Sequence, residues 1–238
     1  MRNEFVIFCF TYAGGTAKFF EVIEDALKPE VKLVKLEYSG HGSRAKEKLC
    51  EDFIEVSDDL YPVIRDYIKE YNISGYALMG YSMGSIVAFV MLQKIKTMDE
   101  IPLPKHVFLA AHEPMTRIIM SDIPEEEIDE YVKKRTIEFD AVGQDLIDNR
   151  VFWRMYLPLY KADYFMIARY NFEDMAFSTS IPATVFYSEE DTAYSDMVLW
   201  KKYFTEDVEY DCYEGPHFFI NDHFEDMAKT IKRRLELI

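Results

Sequence analysis

The chain has 238 residues, of which 49% are apolar, 16% aromatic and 29% charged, and its 27 basic and 43 acidic residues give a net charge of −16. A chain of this length buries roughly three-quarters of its unfolded surface, so a hydrophobic core alone can stabilise it. The acidic balance argues against binding to nucleic acid or to anionic membrane surfaces. No apolar segment is long enough to predict a membrane span.

The three cysteines, Cys9, Cys50 and Cys212, are odd in number and irregularly spaced, which does not indicate a disulfide framework. The apolar run Phe5–Phe10 is too short for a signal peptide. No Cys/His cluster predicts a metal site, and no motif predicts an organic cofactor. We therefore expect a cytoplasmic globular protein without a metal or other cofactor.

Strands and helices alternate along the first half of the chain. The strand segments are continuous apolar runs, which suit strands that are buried on both faces. Apolar residues recur at helical spacing between them. In order, the predicted elements are strand Phe5–Phe10, helix Ala17–Leu27, strand Val31–Glu37, helix Glu51–Tyr71, strand Tyr76–Met79, helix Met83–Met98 and strand His106–Ala111.

Residues 114–180 break this alternation with a helical, aromatic-rich pattern. We expect its aromatic side chains either to line a cavity or to form the insert's own core. They are Phe152, Trp153, Tyr156, Tyr160, Tyr164, Phe165 and Tyr170. The alternation resumes with strand Ala183–Tyr187, helix Ser195–Phe204, strand Val208–Tyr213 and a helix from about His223 to Leu235. The pattern predicts an α/β fold over residues 1–238, a single domain with a mostly parallel central sheet flanked by helices and a helical lid insertion at about 114–180.

The segment Gly80-Tyr81-Ser82-Met83-Gly84 matches G-x-S-x-G and lies between a predicted strand and a predicted helix. That context is typical of a nucleophile elbow, in which the serine occupies a strained turn and the glycines let strand and helix approach closely. The N-terminus of the following helix directs backbone N–H groups at the space above the serine. The motif predicts that Ser82 is a catalytic nucleophile.

A serine nucleophile needs a base, and the chain has five histidines. With this motif, the order along the chain is serine, acid, histidine, and the histidine follows the last strand. His217 comes directly after the strand Val208–Tyr213 and is the predicted base. His223 is expected to cap or pack against the last helix, and His106 to be structural.

The acid is expected at the carboxyl end of a strand, where it can orient the imidazole. Asp191 follows the strand Ala183–Tyr187 and is the favoured candidate, but Glu190 is adjacent to it, and Glu113 follows an earlier strand. Position alone therefore leaves Glu113 and Glu190 open as alternatives.

An oxyanion hole needs one backbone donor after the nucleophile and a second from the loop after the first strand. That loop is Thr11–Gly15, where two glycines free the backbone to direct an N–H at the nucleophile. We expect the N–H of Met83 and that of Ala13 or a neighbouring residue to form the hole, with Ala13 as the favoured second donor.

Several motifs together resemble the stand-alone type II thioesterases of nonribosomal peptide and polyketide synthesis, in the α/β-hydrolase superfamily. They span nearly the whole chain in the family's order. The matching segments are Phe10–Ala17, Ser39–Arg44, Gly80–Gly84, Lys161–Tyr164 and Gly215–Phe219. The family usually has other residues where this chain has Thr11, Ser39, Tyr81, Tyr187 and Ser188.

The resemblance implies an acid after the strand that precedes the last one, which favours Asp191. Related thioesterase domains fused to synthases use the earlier strand, which keeps Glu113 open. It also implies a serine thioesterase that removes acyl or aminoacyl groups from the phosphopantetheine arm of a carrier protein, its transient partner. Two alternatives remain, an esterase or free acyl-CoA thioesterase of the same fold, and a binding protein that has lost turnover.

Overall fold

The computed structural model describes residues 5–115, 120–172 and 177–237. Its centre is a sheet of six strands in the order β2-β1-β3-β4-β5-β6, in which every neighbouring pair is parallel. The predicted parallel sheet is confirmed. The strands are β1 Phe5–Phe10, β2 Val31–Lys35, β3 Tyr76–Tyr81, β4 His106–Ala110, β5 Ala183–Tyr187 and β6 Val208–Cys212.

Helices cover both faces of the sheet, and this explains the continuous apolar runs. In β1, Phe8 belongs to the apolar cluster on one face, whereas Ile7 belongs to the cluster on the other. Successive strand residues point to opposite faces, so a strand covered on both sides has no polar positions to alternate. The helices are α1 Glu21–Leu27, α2 Phe53–Glu70, α3 Met83–Met98, α4 Ile128–Glu138, α5 Arg150–Arg169, α6 Tyr194–Met197 and α7 Ile220–Arg234.

Helix α2 spans Phe53–Glu70 rather than the predicted Glu51–Tyr71, and three other helices also differ from the sequence prediction at their ends. The first begins with a 3₁₀ turn over Ala17–Phe20 before α1. The predicted helix Ser195–Phe204 consists of the short α6 followed by a 3₁₀ turn, Val198–Tyr203. The last helix begins at Ile220 rather than His223, because Ile220 is fully buried and packs its first turn against the sheet.

The insert between β4 and β5 contains α4, α5 and the 3₁₀ turns Met120–Asp122 and Glu125–Glu127. It has its own apolar cluster, formed by Met120, Val132, Val142, Trp153, Leu157, Tyr160 and Tyr164. Residues 116–119 and 173–176 of the predicted segment 114–180 lie outside the described residues. That this segment is a lid on a single domain stays a prediction.

The strand order reverses next to β1, since the chain runs from β1 outward to β2 and then returns to β3 on the other side. Such a reversal opens a crevice at the carboxyl ends of the strands. The turn from β3 into α3 is packed tightly there: a β-carbon on Gly84 would lie 1.9 Å from the carbonyl oxygen of Phe10, and one on Gly80 would lie 2.1 Å from that of Gly84. Only glycine fits at these two positions.

We expect Gly84→Ala to lower the free energy of unfolding by about 2 kcal/mol or more, because the added methyl group meets backbone that has no room to shift. Urea unfolding followed by circular dichroism measures this. Gly75→Ala is the matched control, since the atom nearest to its β-carbon would be on the ring edge of Phe5, at 3.3 Å, and it should change stability by less than about 1 kcal/mol. Equal effects of the two substitutions would contradict the packing argument.

Candidate active site

Ser82 lies in the turn between β3 and α3, with φ 53° and ψ −124°. A residue with a side chain rarely adopts this conformation, and it persists only where surrounding contacts enforce it. Here the N–H of Ser82 donates to the carbonyl of Ala110 at 2.7 Å. The hydroxyl of Ser85 accepts from the N–H of Ala110 at 3.0 Å, which ties the start of α3 to β4. The turn therefore presents the Ser82 hydroxyl at the carboxyl edge of the sheet.

His217 connects Ser82 to a carboxylate. Its Nε2 lies 3.0 Å from Oγ of Ser82, and its Nδ1 lies 2.9 Å from Oδ1 of Asp191. The side chains of His217 and Asp191 are only 9% and 6% exposed. A carboxylate at Nδ1 favours the tautomer with its proton on Nδ1, which leaves Nε2 to accept the proton of the serine hydroxyl. The arrangement can activate an oxygen nucleophile.

Glu190 is not bonded to this imidazole but holds the loop that carries it. Its Oε1 accepts from the N–H of Gly215 at 2.7 Å. The hydroxyl of Tyr81 donates to the carbonyl of His217 at 2.7 Å. These two bonds hold the backbone of the loop at Gly215 and at His217. Glu190 thus bonds to the loop backbone, whereas its neighbour Asp191 bonds to the imidazole.

Glu113, the other alternative, is buried and lies in the wall of the cavity next to Ser82. The neighbouring His112 places its Nδ1 2.6 Å from the carbonyl of Glu113, and burial lowers the pKa of His112 below its usual value. The Nδ1 of His217 meets Asp191, not Glu113. Of the three candidate acids, Asp191 is the one hydrogen-bonded to the imidazole.

One predicted oxyanion donor lies at the start of α3 and the other in the loop after β1. Met83 is the first residue of α3, and Ala13 lines the cavity together with Ser82. Within the ranges that the structure describes, neither backbone N–H donates to a protein acceptor. Met83 N–H is free because the first N–H groups of a helix have no acceptor inside it. Ala13 lies in a loop, and its N–H likewise has no acceptor in these ranges, so both groups can bond to a ligand.

The cavity beside Ser82 has a volume of about 140 Å³ and is closed on one side by the insert. Tyr160 and Tyr164 of α5 line it, and Phe139, directly after α4, brings its ring centroid to 4.6 Å from that of His217. Burial raises the pKa of Tyr164 to about 12, so its phenol is neutral at physiological pH.

Other aromatic residues of the insert do not reach this cavity. Trp153 is buried in the insert's own cluster, with its indole N–H donating to the carbonyl of Ile147 at 2.7 Å. Tyr156 is 41% exposed and stacks on Phe152. Tyr160 and Tyr164 therefore have both roles that the sequence left open, whereas Trp153 belongs only to the insert's own cluster.

The structure contains a second buried histidine–carboxylate pair, to which the sequence gave no role. Nε2 of His41 lies 2.9 Å from Oδ2 of Asp163. Both residues stand in motifs that carry the resemblance, but 121 residues separate them in the sequence. In the sequence, only their positions inside these motifs indicate that the two residues have a role. Among the described residues, no helix is long and apolar enough to cross a membrane, and no group of three or more potential ligands is placed to hold a metal ion.

The fold and the Ser82–His217–Asp191 geometry define the architecture of an α/β-hydrolase. The family model of the thioesterase domain matches residues 5–235. The chain belongs to the thioesterase family, and it is a thioester hydrolase by that membership.

Known proteins resemble it over nearly its whole length. The medium-chain S-acyl fatty acid synthase thioesterase of Rattus norvegicus is 26% identical over 98% of this chain and 89% of its own. The gramicidin S biosynthesis protein GrsT of Aneurinibacillus migulanus is 22% identical over 98% of this chain and 89% of its own. The crystal structure of ClbQ from the colibactin NRPS/PKS pathway superposes with a TM-score of 0.85, at 24% identity and 98% coverage of both chains.

Proposed function

We propose that this chain is a serine thioesterase that hydrolyses acyl or aminoacyl thioesters on the phosphopantetheine arm of carrier proteins, and so regenerates a nonribosomal peptide or polyketide synthase. The observation that carries the proposal is the hydrogen-bonded series Ser82–His217–Asp191 beside a covered cavity in a thioesterase-family chain. The names of the similar proteins from gramicidin S and colibactin biosynthesis support the carrier protein as partner. The proposal treats residues 114–180 as a lid on one domain.

In the first half of the reaction, Oγ of Ser82 bonds to the thioester carbonyl carbon while Nε2 of His217 takes the hydroxyl proton. Asp191 stabilises the resulting imidazolium. The tetrahedral intermediate then breaks its carbon–sulfur bond, and the imidazolium returns the proton to the departing sulfur. A thiol has a pKa of about 8.5, so the thiolate leaves with little assistance.

In the second half, a water molecule gives its proton to Nε2 of His217 and attacks the acyl-serine. The second tetrahedral intermediate expels Oγ of Ser82, which recovers the proton, and a carboxylic acid is released. In both halves the negative charge develops on the former carbonyl oxygen. The N–H groups of Met83 and Ala13 stabilise that charge, where one such donor contributes about 10²- to 10³-fold to the rate.

We expect an acyl group on a carrier protein to be hydrolysed with a kcat/KM at least about tenfold above that of the same group on free pantetheine, because contacts with the carrier add binding energy remote from the reacting bond. Release of free thiol measures both rates. Ser82→Ala, which removes the nucleophile and little packing, should reduce both to background. Equal rates on the two substrates would favour a free-thioester hydrolase, and no turnover by the parent protein would favour the binding protein.

We expect Asp191→Asn to lower kcat by about 10⁴-fold, because the amide no longer holds the imidazole in its productive tautomer. Glu113→Gln is the matched control: it makes the same change in the same cavity wall without a bond to the imidazole, and it should cost less than about tenfold. Steady-state kinetics on one acyl carrier protein compares them. A larger loss from Glu113→Gln would move the acid to the carboxyl end of β4.

A medium-chain fatty acyl specificity is the second candidate function, favoured by the 26% identity to the rat thioesterase. The cavity of about 140 Å³ argues for smaller groups, because a cavity of about 150 Å³ holds a molecule the size of benzene. We therefore expect kcat/KM for acetyl carrier protein to exceed that for decanoyl carrier protein. The reverse order would favour the fatty acyl function.

A further inference from the structure

Three separate segments meet at the carboxylate of Asp163, on α5 of the insert. Asp163 is fully buried, and its Oδ2 accepts from the backbone N–H of Gly14 at 2.6 Å. The same oxygen lies 2.9 Å from Nε2 of His41, which is 2% exposed. One carboxylate oxygen therefore joins the insert to the loop after β1 and to the loop after β2.

His41 is itself held so that it can donate from both ring nitrogens. Its Nδ1 lies 3.1 Å from the carbonyl of Ser39, and its Nε2 faces Asp163. Two acceptors require protons on both nitrogens, which is the charged form of histidine. Burial alone lowers the pKa of His41, but the charge and hydrogen bond of Asp163 outweigh burial and raise it. Removal of one partner from a buried ion pair strongly destabilises the folded protein, because the other charge stays buried without a partner.

The loop after β1 is immobilised around Ala13 in particular. The bond from Gly14 N–H to Asp163 fixes the plane of the peptide that follows Ala13. The carbonyl of Tyr12 accepts from the N–H of Gly15 at 3.0 Å, which fixes the plane of the preceding peptide, the one that contains the N–H of Ala13. With both planes fixed, the direction of the Ala13 N–H is determined.

The insert touches this loop at a second point, one helical turn from the first. Gly14 has φ +75°, and a β-carbon there would lie 1.9 Å from the ring of Tyr160. Residues three apart on a helix lie on the same face, so Tyr160 and Asp163 contact Gly14 together.

We infer that Asp163 and His41 are positioning residues for the oxyanion hole, which aim the Ala13 N–H at the carbonyl oxygen of the substrate and do so only when α5 lies against the loop. The inference rests on the proposed function, since it assigns Ala13 as a donor to an oxyanion formed at Ser82. A misplacement of about 0.5 Å is enough to weaken such a site. Ground-state binding of the acyl group depends on the cavity walls and should be little affected.

The test compares Asp163→Ala, Asp163→Asn and Asp129→Ala in the folded protein, with steady-state kinetics on acetyl carrier protein. Asp163→Ala should lower kcat by about 10- to 100-fold, below the full loss of a donor, while KM changes less than about threefold. Asp163→Asn keeps an oxygen at the position of Oδ2 that can accept from both the Gly14 N–H and the Nε2–H of His41, so it should retain activity within about fivefold of the parent. Asp129→Ala is the control. Asp129 lies on α4 and pairs with Lys161, which is on the same helix as Asp163, and not with the loop after β1.

A second readout separates positioning from stability. An alkyl boronic acid forms a tetrahedral anionic adduct with a serine nucleophile, whereas an acetyl-pantetheine amide mimics the unreacted substrate. In Asp163→Ala the inhibition constant of the boronic acid should rise by the factor lost in kcat/KM, and the dissociation constant of the amide should stay within about threefold. Should Asp163→Ala fail to fold, His41→Gln is measured in the same way and should show the same split.

Four results would overturn the inference: kcat within threefold of the parent in folded Asp163→Ala, a loss confined to KM, an equal loss of kcat in Asp129→Ala, or Asp163→Asn as impaired as the alanine variant. Ser82→Ala is assayed in parallel. Turnover by Ser82→Ala would remove the proposed function and the inference with it, whereas an inactive Ser82→Ala beside a fully active Asp163→Ala would overturn the inference alone.

Discussion

The backbone of Ser82, held at φ 53°, depends on contacts from the two strands on either side of β3. Its N–H is bonded to Ala110 at the end of β4, and the turn around it fits only because Gly84 approaches the carbonyl of Phe10 at the end of β1. Strain of this kind persists where the surrounding structure over-determines it. The packing of the parallel strands therefore also fixes the position of the Ser82 hydroxyl, since any change that separates β1, β3 and β4 releases the turn.

Two adjacent acids at this edge of the sheet, Glu190 and Asp191, make different hydrogen bonds. The side chain of Asp191 is only 6% exposed and bonds to the imidazole, whereas Glu190 is exposed and bonds to the backbone of Gly215. A carboxylate against an imidazole inside a closed site acts through a lower dielectric than one at the surface, so its charge has a larger effect on the imidazolium. Burial, rather than residue type, distinguishes the two.

The strands and the predicted position of Ser82 could be read from the sequence because their signals are local. A run such as Phe5–Phe10 reports burial on both faces, and a glycine-flanked serine between a strand and a helix reports a sharp turn. The helix ends were less accurate, since tertiary packing of Ile220 rather than a local cap sets the start of α7. Sequence spacing left the choice between Asp191 and Glu113 open, because both follow a strand and only the three-dimensional path of the chain brings one to the imidazole.

The pairing of His41 with Asp163 lay beyond local signals for the same reason, and it has a consequence for how α5 works. One face of this helix carries Tyr160, Asp163 and Tyr164, so it supplies the cavity wall and the contact with Gly14 together. Since a helix moves as a rigid unit, a displacement of α5 that widens the cavity also withdraws Asp163 from the loop. Under the proposed function, an arrangement of α5 that admits the substrate and one that stabilises the oxyanion would then be two states of one helix, and a substrate that favours the closed state would supply the free energy for the change.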